Sequence, residues 1–282
     1  MNEDGSSEKH YLTLKELQAE LLSMLCNAGQ WFVKRGIRYS LSDGTLLGAV
    51  RHQGFIPWDD DLDIYIPRSD YEYLLKQATA FENETGYELR SSRNGKFYKP
   101  FTKIINPRIR AQEDAIPAGD YKSYLWIDVF PIDGVPESEE QYSQLVEFTK
   151  SRNRRINLCL VSGSTKIKTF IKKIFHPLFV YAIRPIDLAN VIDRKVRETP
   201  YETSERVACP AFGITFAGKS IPRKGFECMV ELPFEGTMQP CMSCWDEYLT
   251  KSYGDYMALP PEEKRWHHPQ KTWRVNPEEQ GS

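Results

Sequence analysis

The chain carries, at residues 57–64, the run Pro57-Trp58-Asp59-Asp60-Asp61-Leu62-Asp63-Ile64, with four aspartates in five positions. Aspartate is disfavoured in strands, and clustered like charges repel one another. If residues 61–66 form a strand, alternation places Asp61 and Asp63 on one face and apolar side chains on the other. Two neighbouring carboxylates suit Mg²⁺ or Mn²⁺, which usually also hold a substrate phosphate. The run therefore predicts a metal-assisted phosphate site, and the alternative is an acidic surface turn.

A helix N-terminus is predicted shortly before this run, at Gly44-Thr45. Its backbone N–H groups and the Thr45 hydroxyl would form an anion site, and the glycine would let a phosphate approach closely. Arg51 and Lys103 are candidates for charge contacts to a diphosphate, with an ordinary surface base as the alternative for each. His52 is a weaker candidate for a general base. These signals carry weight only together with the aspartate pair.

Three blocks extend the pattern along the chain. The first is residues 44–64, which begin Gly44-Thr45-Leu46-Leu47-Gly48 and end with the aspartate run. The second is Trp126-Ile127-Asp128-Val129-Phe130-Pro131-Ile132-Asp133-Gly134. The third is Tyr253-Gly254-Asp255-Tyr256-Met257, followed by Leu259-Pro260-Pro261-Glu262-Glu263-Lys264-Arg265. In this order the blocks resemble the LicD family of phosphocholine transferases, which is related to fukutin and the fukutin-related protein. The resemblance spans about residues 10–268, and Thr45 stands where the wider nucleotidyltransferase-like superfamily usually has Ser or Gly.

The chemistry of phosphoryl transfer, together with the resemblance, indicates roles for four carboxylates. Asp61 and Asp63 would hold one or two metal ions, Mg²⁺ or Mn²⁺, against the diphosphate of a nucleotide-activated donor. Asp128 would complete the metal site as a third carboxylate and could accept the proton of the acceptor hydroxyl. It stands alone on a predicted strand of otherwise apolar and aromatic residues, and a structural aspartate is the alternative. Asp59 would be a further ligand or would orient Asp61. By alternation Asp60 points away and is the weakest candidate.

Two tryptophans are candidates for recognising a choline head group, which proteins usually bind by cation–π contact with aromatic faces. Trp58 adjoins the aspartate run, and Trp126 lies two residues from Asp128 on the same strand face. Core packing is at least as good an explanation for both. Nothing in the spacing distinguishes choline from another activated alcohol.

The predicted elements indicate an α+β fold. A capping box at Thr13 to Glu16 opens a first helix, and short strands, helices and a hairpin follow. Residues 123–130 read as a further strand, the next sixty residues as mainly helical, and Phe212 to Gly236 as loops before a helix around 246–257. We therefore predict a nucleotidyltransferase-like small mixed sheet backed by helices, with a helical C-terminal part. The predicted divisions are a catalytic core over 10–136, a helical segment over 137–198 and a C-terminal part over 199–282 that completes the domain.

The composition fits a globular protein of 282 residues with a formal net charge of −2. No segment reaches the roughly 18 apolar residues of a membrane span, and the polar N-terminus does not read as a signal peptide, so a cytoplasmic location is expected. The six cysteines are interpreted as free thiols in a reducing compartment. Cys241 and Cys244 have zinc-knuckle spacing that Cys228 or Cys209 could complete, but a single such pair is a weak signal.

The region between Phe148 and Ile186 is strongly basic, with nine Lys and Arg and no Asp or Glu. Within it, residues 165–178 predict a basic amphipathic helix that could lie on an anionic membrane surface at the inner face of the membrane. An ordinary core helix with a solvated basic face is the equal alternative. Nucleic acid is not expected as a partner, because the remainder of the chain carries −11 and would repel phosphates.

The functional hypothesis combines these points with the resemblance. It is a metal-dependent transfer of phosphocholine from CDP-choline to a hydroxyl of a cell-surface glycan or teichoic-acid precursor, lipid-linked or free, with release of CMP. Transfer of another phospho-alcohol such as phosphoribitol from its CDP donor is one alternative, and nucleotidyl transfer is another. A binding module that has kept the fold without its chemistry is the non-enzyme alternative.

Overall fold

The computed structural model describes residues 10–112, 124–159, 178, 180–212, 220–265 and 271–275. The helices of these ranges, numbered in chain order, are α1 (Leu14–Lys34), α2 (Asp43–His52), α3 (Arg68–Lys76), α4 (Ala78–Thr85), α5 (Glu139–Leu158), α6 (Pro185–Val196), α7 (Arg223–Glu227) and α8 (Trp245–Tyr253). The strands are β1 (Ser40–Leu41), β2 (Asp63–Pro67), β3 (Glu88–Arg90), β4 (Thr102–Gln112), β5 (Tyr124–Gly134), β6 (Arg206–Ala208), β7 (Ile221–Pro222), β8 (Met229–Phe234), β9 (Thr237–Met242) and β10 (Lys271–Arg274).

Within the described ranges, eight strands form one mixed sheet whose central order is β1-β2-β5-β4-β10. β2 and β5 run parallel, while β1 pairs with β2, and β4 with β5, in the antiparallel sense. β3 and β10 pair with different parts of β4, and β6 extends the sheet from the end of β5. A separate hairpin is formed by β8 and β9. The predicted mixed sheet backed by helices is therefore confirmed.

The main core lies between this sheet and the helices of the N-terminal half. The capping box at the start of α1 is present, since the Thr13 side chain accepts from the Glu16 N–H and the Glu16 carboxylate accepts from the Thr13 N–H. The buried face of α1 includes Leu21, Met24 and Leu25, which have no exposed surface. α1 packs on β5 and α4, whereas α3 packs on β2 and β5. These contacts hold the two parallel strands that carry the predicted acidic residues.

The C-terminal part differs from its prediction. α5 and α6 form a small helical layer, as expected after residue 138, with Ser138 as the N-cap of α5. The stretch from Phe212 to Gly236, predicted to be loops, contains α7 and β8. β6, β7 and β10 join the main sheet, so the C-terminal part is helical only in part. Periodicity missed these strands because they are short and pair with partners distant in the chain. The proposed division at residues 136 and 198 stays a prediction.

The predicted amphipathic helix over 165–178 lies outside the described residues except for Leu178, which is exposed. Across the described ranges, no helix is both long enough and apolar enough to cross a membrane.

A buried ion-pair network joins the helical layer to the sheet. Arg68, at the start of α3, donates to both carboxylate oxygens of Asp133 at 2.6 and 2.7 Å and to Asp193 of α6 at 2.9 Å. Arg93 also pairs with Asp193, at 2.8 Å, and it contacts Glu72. The two carboxylates hold the pKa of the Arg68 guanidinium above its ordinary value, although burial opposes them. Three elements distant in the chain therefore share one charge-compensated contact.

Replacement of Arg68 by methionine should lower the free energy of unfolding by about 3–5 kcal/mol, because it leaves two buried carboxylates without their shared cation. Urea denaturation monitored by circular dichroism measures this. The matched control is Lys195→Met, which breaks an exposed pair with Glu198 and should change the free energy by about 0.5 kcal/mol or less. An equal change in the free energy of unfolding for both variants would show that the buried network does not stabilise the fold more than an exposed ion pair does.

Candidate active site

A row of charged side chains crosses the sheet where β2, β5 and β4 lie side by side. The parallel register places Asp63 opposite Asp128, and the antiparallel register places Asp128 opposite Lys103. The Lys103 ammonium lies 3.5 Å from Asp128 Oδ1 and 3.6 Å from the centroid of the Trp126 ring. The sheet thus brings together four of the predicted site residues. The face of Trp126, a predicted cage residue for choline, is covered by the chain's own cation.

A second lysine lies close to this row. Burial and the neighbouring charge of Lys103 lower the pKa of Lys99 to about 8. Lys99 also donates to the side-chain oxygen of Asn157 on α5. Lys103 and Lys99 therefore place two basic side chains beside Asp128.

The other predicted aspartates lie on the segment that leads into β2. The prediction of a strand over 61–66 was wrong at its start, because β2 begins at Asp63. Residues 53–62, here called the acid loop, are irregular in structure and carry Asp59, Asp60 and Asp61. Asp60 is buried, with 3% of its surface exposed, whereas Asp59 and Asp61 are half-buried. Asp60 is thus more buried than its two neighbours, and its rank as the weakest ligand candidate stays a prediction, because strand alternation does not apply to this irregular segment.

The N-terminus of α2 contacts the acidic residues directly. The buried Thr45 hydroxyl accepts from the Asp63 backbone N–H at 2.9 Å, and the Ser42 N–H donates to the Asp63 carbonyl at 3.1 Å. The predicted anion-binding hydroxyl therefore fixes the first residue of β2. A Cβ on Gly44 would lie 3.1 Å from Asp59 Oδ2, so the glycine lets that carboxylate approach the helix start.

The carboxylates repel one another strongly. Burial, together with the charges of Asp61, Asp43, Asp128 and Asp59, raises the pKa of Asp63 well above its ordinary value. Burial, and to a smaller extent the charge of Asp61, raises the pKa of Asp43, whereas hydrogen bonds from Tyr248 and Tyr65 oppose this rise in part. A group of carboxylates in this state is a favourable place for a cation, which would offset the repulsion.

Asp43 and two tyrosines of α8 are site candidates that the sequence analysis missed. Asp43 takes a left-handed backbone conformation, with φ of 45°, immediately before Gly44. Its Oδ1 accepts from the Tyr248 hydroxyl at 2.6 Å, and the hydroxyls of Tyr248 and Tyr65 lie 3.1 Å apart. Burial and the charges of the acidic residues raise the pKa of Tyr253. Two features of the sequence could have indicated these residues: Asp43 directly precedes Gly44, and Tyr253 begins the third sequence block.

Arg51 and Trp58 connect the acid loop to the third block. Arg51 Nη1 donates to the backbone oxygens of Tyr256, at 2.9 Å, and Ala258, at 3.3 Å. The Arg265 guanidinium lies 5.1 Å from the centroid of the Trp58 ring. The predicted diphosphate contact for Arg51 and the cage role for Trp58 stay predictions, while the observed contacts link blocks that are some 200 residues apart in the chain.

The donor set fits a hard divalent cation by its chemistry. Asp63 and Asp128 present carboxylates from adjacent strands, with Asp59 and Asp61 nearby. No three His, Cys, Asp or Glu side chains in the described ranges converge closely enough to hold a metal ion. Mg²⁺ is commonly held by one or two carboxylates, with waters and substrate phosphates completing its shell, so this arrangement is compatible with it. Cys228, Cys241 and Cys244, considered above as zinc ligands, likewise form no such group in those ranges.

Similarity to known proteins covers the part of the chain that contains the candidate site. The profile of the family described as LicD/FKTN/FKRP, nucleotidyltransferase domain, matches residues 36–181, just over half of the chain. The chain belongs to this LicD family. The matched range contains α2, the acid loop, β2, β4 and β5, which carry all the predicted site residues. The sequence-based resemblance and the prediction of a phosphotransferase are both confirmed.

Two relatives illustrate the range of the LicD family. The chain is 29% identical to the lipopolysaccharide cholinephosphotransferase LicD of Haemophilus influenzae, over 93% of this chain and 98% of that protein. It is also 38% identical to human ribitol 5-phosphate transferase FKRP over 68 residues, which are 23% of this chain and 14% of that protein. The likeness to LicD extends over almost the full length of both chains, whereas the likeness to FKRP is local.

Replacement of Asp63 by asparagine should raise the free energy of unfolding at pH 7 by about 1 kcal/mol, because it removes one charge from a repelling group. A carboxyl whose folded-state pKa is raised favours folding while it is protonated, and that contribution is lost as the pH rises above about 4. The difference between variant and wild type should therefore grow with pH above that value. Urea denaturation between pH 4 and pH 8 measures it.

The control for this prediction is Asp70→Asn. The Asp70 carboxylate accepts from the Arg38 side chain at 2.9 Å, so its replacement should lower stability. Loss of stability in Asp63→Asn at pH 7 would show that Asp63 serves a structural role.

Proposed function

We propose that this protein transfers phosphocholine from CDP-choline to a hydroxyl of a cell-surface glycan precursor and releases CMP. The observation that carries the proposal is the row of Asp63, Asp128 and Lys103 across adjacent strands, in a chain similar to LicD of Haemophilus influenzae over nearly its whole length. The row combines acidic groups for a cation with a basic group for a phosphate. Such a pairing suits transfer of a phosphoryl group from a diphosphate donor.

In the proposed reaction the acceptor oxygen attacks the choline-bearing phosphorus, and the bond from that phosphorus to the bridging oxygen breaks. Asp63 and Asp128 would hold Mg²⁺ or Mn²⁺, with waters and substrate phosphates completing the shell and with Asp61 and Asp59 nearby. When bound, this cation neutralises charge on the phosphate oxygens and on the leaving CMP. Asp128 accepts the proton of the attacking hydroxyl. Lys103, held between Asp128 and the face of Trp126, contacts the diphosphate.

For the alcohol of the donor, a specific observation supports a second candidate. Both predicted cage tryptophans have a cation of the chain itself near the ring, Lys103 at 3.6 Å from Trp126 and Arg265 at 5.1 Å from Trp58. The local likeness to ribitol 5-phosphate transferase FKRP supports phosphoribitol as the second candidate. A polyol offers hydroxyl oxygens that can accept hydrogen bonds from such cationic side chains.

The decisive experiment measures CMP release from CDP-choline, CDP-ribitol and CDP-ethanolamine, with and without Mg²⁺ and a glycolipid acceptor. We expect Mg²⁺-dependent release that is fastest with CDP-choline. Asp63→Asn should abolish it, and Lys103→Met should lower kcat by about 100-fold, because a charge contact to the reacting phosphates is lost. Lys76→Met, an exposed lysine on α3, is the matched control and should leave the rate unchanged.

The other outcomes separate the alternatives. Release from CDP-ribitol alone would replace the substrate and keep the mechanism. Release of pyrophosphate from CTP would identify a nucleotidyltransferase. No release with any donor and acceptor would favour the binding module.

Membrane contact is a separate part of the proposal. The basic segment around residues 165–178 would bring the enzyme to a lipid-linked acceptor at the inner face of the membrane, where anionic lipids attract Lys and Arg. Supporting this, Leu178 and Tyr181, at its C-terminal side, are 61% and 84% exposed, and Arg184 follows with 75% of its side chain exposed. Exposed apolar and basic side chains together are typical of an interfacial segment.

Sedimentation with vesicles that contain 30% anionic lipid (roughly a plasma-membrane level) tests this contact. Replacement of Lys166, Lys168, Lys172 and Lys173 by glutamine should reduce binding at least tenfold, since each charge contributes about 1 kcal/mol. The control replaces four exposed lysines elsewhere, Lys15, Lys34, Lys76 and Lys224, and removes the same net charge. Equal loss in both variants would indicate non-specific attraction, and no vesicle binding by the wild type would reject the contact.

A further inference from the structure

The β8–β9 hairpin reaches the acid loop with its tip, although it stands apart from the main sheet. Its base is fixed near β1, where the Met242 N–H donates to Ser40 Oγ at 2.9 Å and the Tyr39 hydroxyl donates to Gln239 at 3.1 Å. Its turn consists of Glu235 and Gly236, both with positive φ. The hairpin is therefore anchored at one end and presents its tip at the other.

Glu235 forms two hydrogen bonds with the start of the acid loop. Its backbone N–H donates to the Gln53 carbonyl at 2.9 Å, and its carboxylate Oε1 accepts from the Phe55 N–H at 3.0 Å. Next to this contact, the rings of Phe55 and Phe234 lie 4.8 Å apart. A Cβ on Gly54 would stand 2.2 Å from Glu235 Oε1, so glycine is required for the carboxylate to lie this close.

The same turn, residues 53–56, also packs closely against α2. A Cβ on Gly48 would lie 2.4 Å from the Gly54 carbonyl oxygen and 3.1 Å from the Ile56 nitrogen. The Gln53 N–H donates to the Ala49 carbonyl at 3.1 Å. The start of the acid loop is thus held between a helix on one side and the hairpin tip on the other.

Further hydrogen bonds connect this turn to Asp59, one of the acidic residues. The Asp59 N–H donates to the Ile56 carbonyl at 2.8 Å, and the Asp59 carbonyl accepts from Gln18 at 2.8 Å. The backbone of Asp59 is therefore held both by the turn that Glu235 contacts and by Gln18 of α1. Asp61 and Asp63 follow within four residues.

We propose that Glu235 is a positioning residue for the cation site, acting through the Phe55 amide to fix the acid loop. Glu235 itself does not touch the substrate. The inference rests on the proposed function, because that function assigns the cation to these aspartates. Groups that orient metal ligands from outside typically change metal affinity by 10–100-fold when they are replaced.

The test compares Glu235→Ala, which removes the acceptor for the Phe55 amide, with Glu235→Gln, which keeps an oxygen acceptor and removes the charge. Glu231→Ala, an exposed glutamate of the same hairpin, is the control. Three quantities are measured: hydrogen exchange of the Phe55 amide, calorimetric Mn²⁺ binding in the absence of nucleotide, and the Mg²⁺ dependence of CMP release.

In Glu235→Ala the Phe55 amide should exchange faster, Mn²⁺ affinity should fall about tenfold, and half-maximal CMP release should require correspondingly more Mg²⁺. Glu235→Gln and Glu231→Ala should behave like the wild type in all three measurements. A split of this kind, with rescue by glutamine, is not expected from a purely structural role.

Two results would overturn the inference. Unchanged Phe55 exchange in Glu235→Ala would show that the contact does not hold the loop. Faster exchange with unchanged Mn²⁺ affinity would show that the hairpin stabilises the fold without positioning the site. Absence of CMP release from the wild type would reject the proposed function alone, because exchange and Mn²⁺ binding do not depend on a donor.

Discussion

Carboxylates that repel one another are kept side by side in this protein by backbone hydrogen bonds. Asp63 and Asp128 are neighbours because β2 and β5 pair in parallel register, and the Asp128 N–H donates to the Leu62 carbonyl at 2.9 Å. The start of β2 is fixed further by Thr45 and Ser42. The backbone positions of the two residues therefore cannot separate to relieve the repulsion without breaking the sheet. The proposed cation would therefore bind at a negative site that is already formed in the fold, at a cost in stability.

The C-terminal third surrounds this site from several directions. Tyr248 of α8 bonds Asp43, the hairpin tip holds the acid loop, and the backbone of residues 256–258 accepts from Arg51. These contacts explain why the third sequence block accompanies the aspartate run although some 190 residues separate them. The nucleotidyltransferase-like core supplies the acidic groups, and the remainder of the chain sets their surroundings.

The acidic centre could be predicted from sequence because it depends on local rules. Alternation along a strand isolated Asp128, and four aspartates in five positions identified the run. Asp43 could not be assigned in this way, since its orientation depends on a left-handed φ and on a hydroxyl 205 residues away. The hydrogen bond from the Asp63 N–H to the Thr45 hydroxyl could not be predicted, because it depends on how α2 packs against β2. The hairpin was missed because each of its short strands contains a proline, and proline is typical of loops.

The long separation between the two halves of the site has a consequence for biosynthesis. Ribosomes add about 5–20 residues per second, so the aspartate run emerges roughly 10–40 s before Tyr248. During this interval the apolar strand from Ile64 to Ile66 has no α8 or hairpin beside its loop. Charged residues that flank an apolar strand discourage association between nascent chains. The aspartates that are proposed to hold a cation in the finished protein would therefore also act as gatekeepers while the chain is being made.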